Sequence, residues 1–220
     1  MLFFSILKKV VLALTYCRRY LFHKRKQIRN KNKALTLITN NCVGGIVYHD
    51  LGLEFMSPTI NLFFDNEDFF TFVNDIEYYA NQEPVEVFDT GKNFPIGELR
   101  KGDKSIRLYF MHYKTFDEAV EKWKKRAKKI DYNNLFIIFE YPQSLKKTDE
   151  IYKEFKNIKH TNKRMITNLV DFEDEEIVSF DIYDKNYYPG KLIDYKDKYG
   201  KKRYLDDFDY IAFLNNQTNK

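Results

Sequence analysis

A thiol, a carboxylate and an imidazole each stand where an apolar run gives way to polar residues: Cys42 after residues 34–39, Asp65 after 59–64 and His112 after 105–111. A cysteine at a helix start, its pKa lowered there, is a nucleophile if a base lies within reach. His112 supplies that base, or His49, seven residues on. Alternatively, His112 is a general base for a sugar hydroxyl, with Asp65 or Glu140 orienting its ring. The structural alternatives are a buried, inert Cys42 and a His112 that only closes its strand. In the loop Asn40-Asn41-Cys42-Val43-Gly44-Gly45, exposed N–H groups at a helix start can cradle a phosphate or carboxylate. The candidate ligand contacts there are Asn40, Asn41, Gly44 and Gly45. The loop matches neither a dinucleotide fingerprint nor a Walker loop, and a plain tight turn is its other reading. Asp50 and Asp65 suit sugar hydroxyls, Tyr113 shares the strand end with His112, and Arg126 can meet a phosphate bidentately or a surface carboxylate. Four His and two Cys offer no zinc spacing, and Asp181-x-x-Asp184 and Asp206-Asp207-x-Asp209 lie in segments the pattern does not place. No metal and no cofactor is expected.

These residues share a site only if the elements carrying them run side by side. Runs at 34–39, 59–64, 105–111 and 135–140 read as strands, the last almost wholly apolar and so suited to burial on both faces. Short helices are expected at 46–51 and 151–158, and a longer one at 68–80. The clearest helix lies before the fourth strand. Thr115 and Glu118 form a capping box, and Phe116, Ala119, Val120, Trp123, Ala127 and Ile130 make one apolar stripe. Glu118–Lys122 and Glu121–Lys125 support it as i,i+4 pairs. Residues 94–99, with Pro95 and Gly97 forcing a turn, read as a flap. Shorter strands are expected at 164–167 and 177–183 and a helix at 206–214, in no determined order. Strand–helix–strand units this hydrophobic point to a three-layer α/β domain over residues 34–220, a mostly parallel sheet with helices on both faces. Ligands of such sheets bind outside the carboxyl ends of the strands, which is where Asn41, Asp65, His112 and Glu140 fall.

Charge sets the first 33 residues apart. They carry ten Lys/Arg and no acid, whereas the remainder holds 27 Lys/Arg against 32 Asp/Glu, so a basic arm precedes an acidic body. The arm is also oily, with Leu2, Phe3, Val10, Val11, Leu12, Leu14, Leu21 and Phe22 among its basic residues. No small-residue cleavage site follows an unbroken apolar run, which argues against a signal peptide. A span of about 20 apolar residues would bury the Lys8–Lys9 pair. A basic amphipathic helix lying on an anionic membrane surface at the cytoplasmic face is the preferred reading, ahead of a single-pass anchor or a protein-docking helix. Nucleic-acid binding is disfavoured, because such arms seldom carry so many Leu and Phe and the body is net acidic. Cys17 and Cys42 form no disulfide framework, in keeping with a reducing compartment.

Three blocks carry a family resemblance. The first is Thr39-Asn40-Asn41-Cys42-Val43-Gly44-Gly45 with Tyr48-His49-Asp50-Leu51-Gly52-Leu53 and Ser57-Pro58-Thr59-Ile60-Asn61-Leu62. The second is Phe94-Pro95-Ile96-Gly97-Glu98-Leu99. The third joins His112-Tyr113, Glu118-Ala119, Lys122-Trp123, Arg126, Ile130 and Asn133-Asn134-Leu135-Phe136. Together they resemble a bacterial domain-of-unknown-function family, number 1919, whose members are often labelled exopolysaccharide biosynthesis proteins. The likeness covers about residues 34–167 and leaves the arm outside. It implies a three-layer α/β layout and a role in exo- or capsular polysaccharide synthesis, and carries over no catalytic residues. The function expected is a transferase using a sugar nucleotide or a lipid-linked sugar, peripheral on the inner face of the cell membrane beside other polysaccharide-assembly proteins. The alternative is a non-catalytic scaffold of such an assembly.

Overall fold

The computed structural model describes residues 2–141, 148–168, 174–180, 190–196, 200 and 202–215. Its centre is a four-stranded sheet, all parallel, in the order β1 (Thr36–Thr39), β5 (Leu135–Tyr141), β6 (Lys163–Thr167), β7 (Ile177–Ser179). All seven residues of β5 are buried, as its unbroken apolar run requires of a strand covered on both faces. Alternate residues feed two cores. Leu135, Ile137, Phe139 and Tyr141 meet α3 (Asn66–Val73), α4 (Ile76–Ala80), α5 (Phe116–Ala127) and α6 (Thr148–Lys156). Phe136 and Ile138 meet α2 (Val43–Leu51) and α7 (Tyr210–Asn215) on the other side. The three-layer α/β expectation therefore holds.

The connection between β1 and β5 differs from expectation. Residues 59–64 are not a strand but a buried turn in which Asn61 takes a left-handed φ of 67°. The 68–80 helix breaks at Asn74–Asp75 into α3 and α4. Residues 105–111 do not join the parallel sheet. They contribute β4 (Lys104–Tyr109) to a separate antiparallel sheet with β2 (Val85–Val87) and β3 (Ile96–Lys101). The expected flap at 94–99 runs into β3, and Gly97 marks close packing there. A Cβ at that position would stand 2.8 Å from Phe110 and 2.9 Å from Pro84. A bridge from Phe63 to Tyr109 ties the end of β4 to the turn before α3. This carries residues 111–113 back to the edge of the parallel sheet. The clearest sequence-read helix is present as α5, with the Thr115 hydroxyl accepting from Glu118 N–H. Of the strand expected at 177–183, residues 181–183 lie outside the described residues, as do Asp181 and Asp184.

The basic arm is a single helix, α1 (Leu2–Arg29). Its contact with the body is the reverse of an ordinary amphipathic helix. The residues turned inward are Thr15, Arg19, Phe22, His23, Lys26, Gln27 and Asn30, a stripe at three- and four-residue spacing that is nearly all polar. Lys26, 6% exposed, lies 2.9 Å from Asp50 and 2.5 Å from Asp206. Val10, Leu14, Leu21 and Ile28 point outward and stay exposed. Among the described residues no helix is long and apolar enough to cross a membrane.

Candidate functional site

Polar side chains stitch the carboxyl ends of β1 and β5 together. The Asn40 carboxamide accepts from Glu140 N–H and donates to Glu140 C=O, both at 2.9 Å, extending the ladder beyond the last paired backbone. Asn41 donates to the Glu140 carboxylate and accepts from Val43 N–H at 3.0 Å. Glu140 is 1% exposed, and its Oε2 also accepts from Gly190 N–H at 3.0 Å, drawing in residues 190–194. A buried carboxylate is tolerated only with such partners.

Cys42 follows at the N-terminus of α2, and His112 arrives from the turn after β4 with Nε2 3.1 Å from Cys42 Sγ. Asp65, at the start of α3, accepts from Tyr109 OH at 2.8 Å, and Phe63 stacks on the Tyr109 ring at 4.5 Å. Burial, then the Asp65 hydrogen bond, raises the Tyr109 hydroxyl above its ordinary pKa. Asn40, Asn41, Cys42, Asp65, His112 and Glu140 line one cleft of about 600 Å³, together with Phe63, Met111, Ile193 and Asp194. The meeting of Asn41, Asp65 and His112 expected from the sequence is thus present.

Five candidates stand elsewhere. Gly44 and Gly45 form no open cradle. Asn41 occupies Val43 N–H, Thr39 Oγ1 takes Gly44 N–H at 3.2 Å, and a Cβ on Gly45 would lie 3.4 Å from Ile60. Asp50 lies about 12 Å along α2 from Cys42 at 1.5 Å per residue, buried against Lys26, His23 and Arg203. Arg126 donates to Tyr113 OH at 2.7 Å and to Ile60 C=O at 3.2 Å, while Tyr113 OH donates to the same carbonyl at 3.0 Å. Both residues brace the 59–64 turn.

The nucleophile expectation needs correction. The Cys42 thiol is not lowered. Burial, and after it the charge of Glu140, pushes it up to about 11. The group is therefore a thiol at neutral pH. Alkylation of Cys42 by iodoacetamide should be slow at pH 7 and climb about tenfold per pH unit until near pH 11, as a thiolate fraction does. Mass-spectrometric rates showing a plateau by pH 8 would refute this. Sequence reasoning missed Gly190, Ile193 and Asp194, for which the only signal is the turn-forming Pro189-Gly190 pair.

A family model described as Domain of unknown function (DUF1919) matches residues 14–215. The chain belongs to this family. The DUF1919 match begins inside α1, so the inward-facing half of the arm, which the sequence resemblance left outside, is part of the family domain. An uncharacterized protein of Haemophilus influenzae is 29% identical over 208 residues, covering 94% of this chain and 97% of its own length. The likeness to that relative therefore runs through both the cleft and the arm's contact with the body.

Proposed function

We propose that this protein transfers a sugar in bacterial surface-polysaccharide assembly, working on the cytoplasmic face of the membrane. The observation that carries the reading is the convergence of Cys42, Asp65, His112 and Glu140, from four separate segments, on one cleft at the carboxyl edge of a parallel sheet. Carboxylates of Asp65 and Asp194 suit sugar hydroxyls, and Phe63 and Met111 suit the apolar face of a sugar ring. In this reading His112 Nε2–H donates to Cys42 Sγ, which orients the ring and leaves Nδ1 to take the proton of an acceptor hydroxyl. Among the described residues no Lys or Arg lines the cleft. The donor in this reading is a sugar nucleotide or a lipid-linked sugar. The outward stripe of α1, with the basic residues flanking it, supports placement at an anionic surface.

A thermal-shift screen with sugar nucleotides and short-chain lipid-linked sugars tests the reading. A ligand at 100 times its Kd stabilises the fold by about 2.7 kcal/mol. His112→Ala, an exposed substitution, should leave stability within about 0.5 kcal/mol and lower transfer by about 10²–10⁴-fold. A flat screen combined with full function of His112→Ala in cells would instead favour a non-catalytic scaffold.

A further inference from the structure

A second groove, of about 550 Å³, runs between α1 and residues 202–211, separate from the cleft described above. Three carboxylates line it, and each already faces a cation. Asp206 meets Lys26, Asp207 meets Lys196, and Asp209 meets Arg29 at 2.6 Å. Arg18, Arg25 and Lys202 also line it and have no carboxylate partner among the described residues. The charge left to a ligand is positive. Tyr210, 2% exposed, forms part of the same wall, and its hydroxyl has no hydrogen-bond partner. That hydroxyl is closed off from the groove, its pKa raised by burial and then by the carboxylates of Asp50 and Asp206, so the groove's open face is left to the arginines.

The orientation of α1 identifies the source of that anion. At about 100° per residue, Val10, Leu14, Leu21 and Ile28 fall on one exposed edge of the helix, opposite its body-facing stripe. Arg18, Arg25 and Arg29 fall between the two. With the apolar edge in the acyl region, these arginines stand at headgroup depth and open into the groove, whose walls include Phe22 and Phe208. We infer that the groove binds the phosphate of a membrane lipid, with Arg18 and Arg25 as its charged ligands. The assignment rests on the membrane-facing reading of α1.

Titration of the full chain with dihexanoyl phosphatidylglycerol, below the concentration at which it forms micelles, tests this without a bilayer. Saturable binding is expected. Arg18→Ala and Arg25→Ala should each weaken it about tenfold, the loss for one charge-assisted hydrogen bond. The charge-matched variant Lys24→Ala, outside the groove, should leave affinity unchanged. Three results overturn the assignment: no saturable binding, equal loss in the charge-matched control, or inorganic phosphate binding as tightly as the lipid. Vesicle flotation reports on the membrane reading separately. Leu14→Glu abolishing flotation supports that reading. Flotation that survives Leu14→Glu removes it, whatever the short-chain titration shows.

Discussion

Asp50→Ala should destabilise the protein by about 3–5 kcal/mol, the cost of leaving a buried cation without its counter-charge. Asp50 is 1% exposed and faces Lys26 at 2.9 Å, His23 at 3.3 Å and Arg203 at 3.7 Å. Without it, three basic groups share a nearly dry joint with Asp206. Lys26→Met should cost a similar amount, because Asp50 and Asp206 then lose the cation between them. The double variant Lys26→Met/Asp50→Leu should recover much of the loss, since apolar side chains often replace a buried pair without penalty. Urea titration of the four proteins measures this; equal stability of wild type and both single variants would refute a closed joint. The joint also responds to acid. Burial, the largest cause, and the charges of Lys26 and Arg203 hold His23 below its ordinary 6.5, against the opposing pull of Asp50 and Asp206. The unfolded chain then binds more protons than the folded one, so stability present above pH 6.5 is lost as the pH falls through the lowered folded-state value. His23→Gln should flatten that slope. Deleting residues 1–33 removes Lys26 and therefore tests folding rather than membrane attachment.

This joint was invisible in the sequence because its members are 24 and 180 residues apart and a lysine is expected outside. What could be read were signals that local physics determines. The Thr115–Glu118 cap with its stripe gave α5, and the apolar run at 135–140 gave the central strand. The strand-edge rule then brought Asn41, Asp65 and His112 together. Burial is not strand formation at residues 59–64. Ile60, Leu62 and Phe64 are apolar because their turn is buried, with Ile60 C=O held by Tyr113 and Arg126. Conversely, Pro95 and Gly97 suggested a turn where β3 runs. Gly97 is there because Phe110 and Pro84 leave no room for a side chain. Asp50 suits sugar hydroxyls as a residue type, but α2 turns it toward α1 and away from the cleft.

Glu140→Ala should be the most damaging change at the cleft itself. The substitution removes the acceptor of Asn41 Nδ2 and Gly190 N–H, and each buried donor left unpaired costs about 1–3 kcal/mol. Residues 190–194 then lose the Gly190 tie to Glu140 while Arg203 still holds Ile193 C=O, so the wall carrying Ile193 and Asp194 should loosen at its Gly190 end before the domain unfolds. Hydrogen exchange at Gly190 should accelerate more than exchange within β5. Glu140→Gln keeps one acceptor oxygen and should cost less, while removing the second cause of the raised Cys42 pKa. Because burial is the larger cause, the thiol should stay well above its ordinary 9.0 yet fall below 11. At pH 8 the Glu140→Gln protein should therefore alkylate at Cys42 faster than wild type, with its far-UV spectrum unchanged. If Glu140→Gln left the alkylation rate unaltered while Glu140→Ala raised it, access to the sulfur rather than charge would control the thiol, and the carboxylate would have no electrostatic hold on the Cys42–His112 pair.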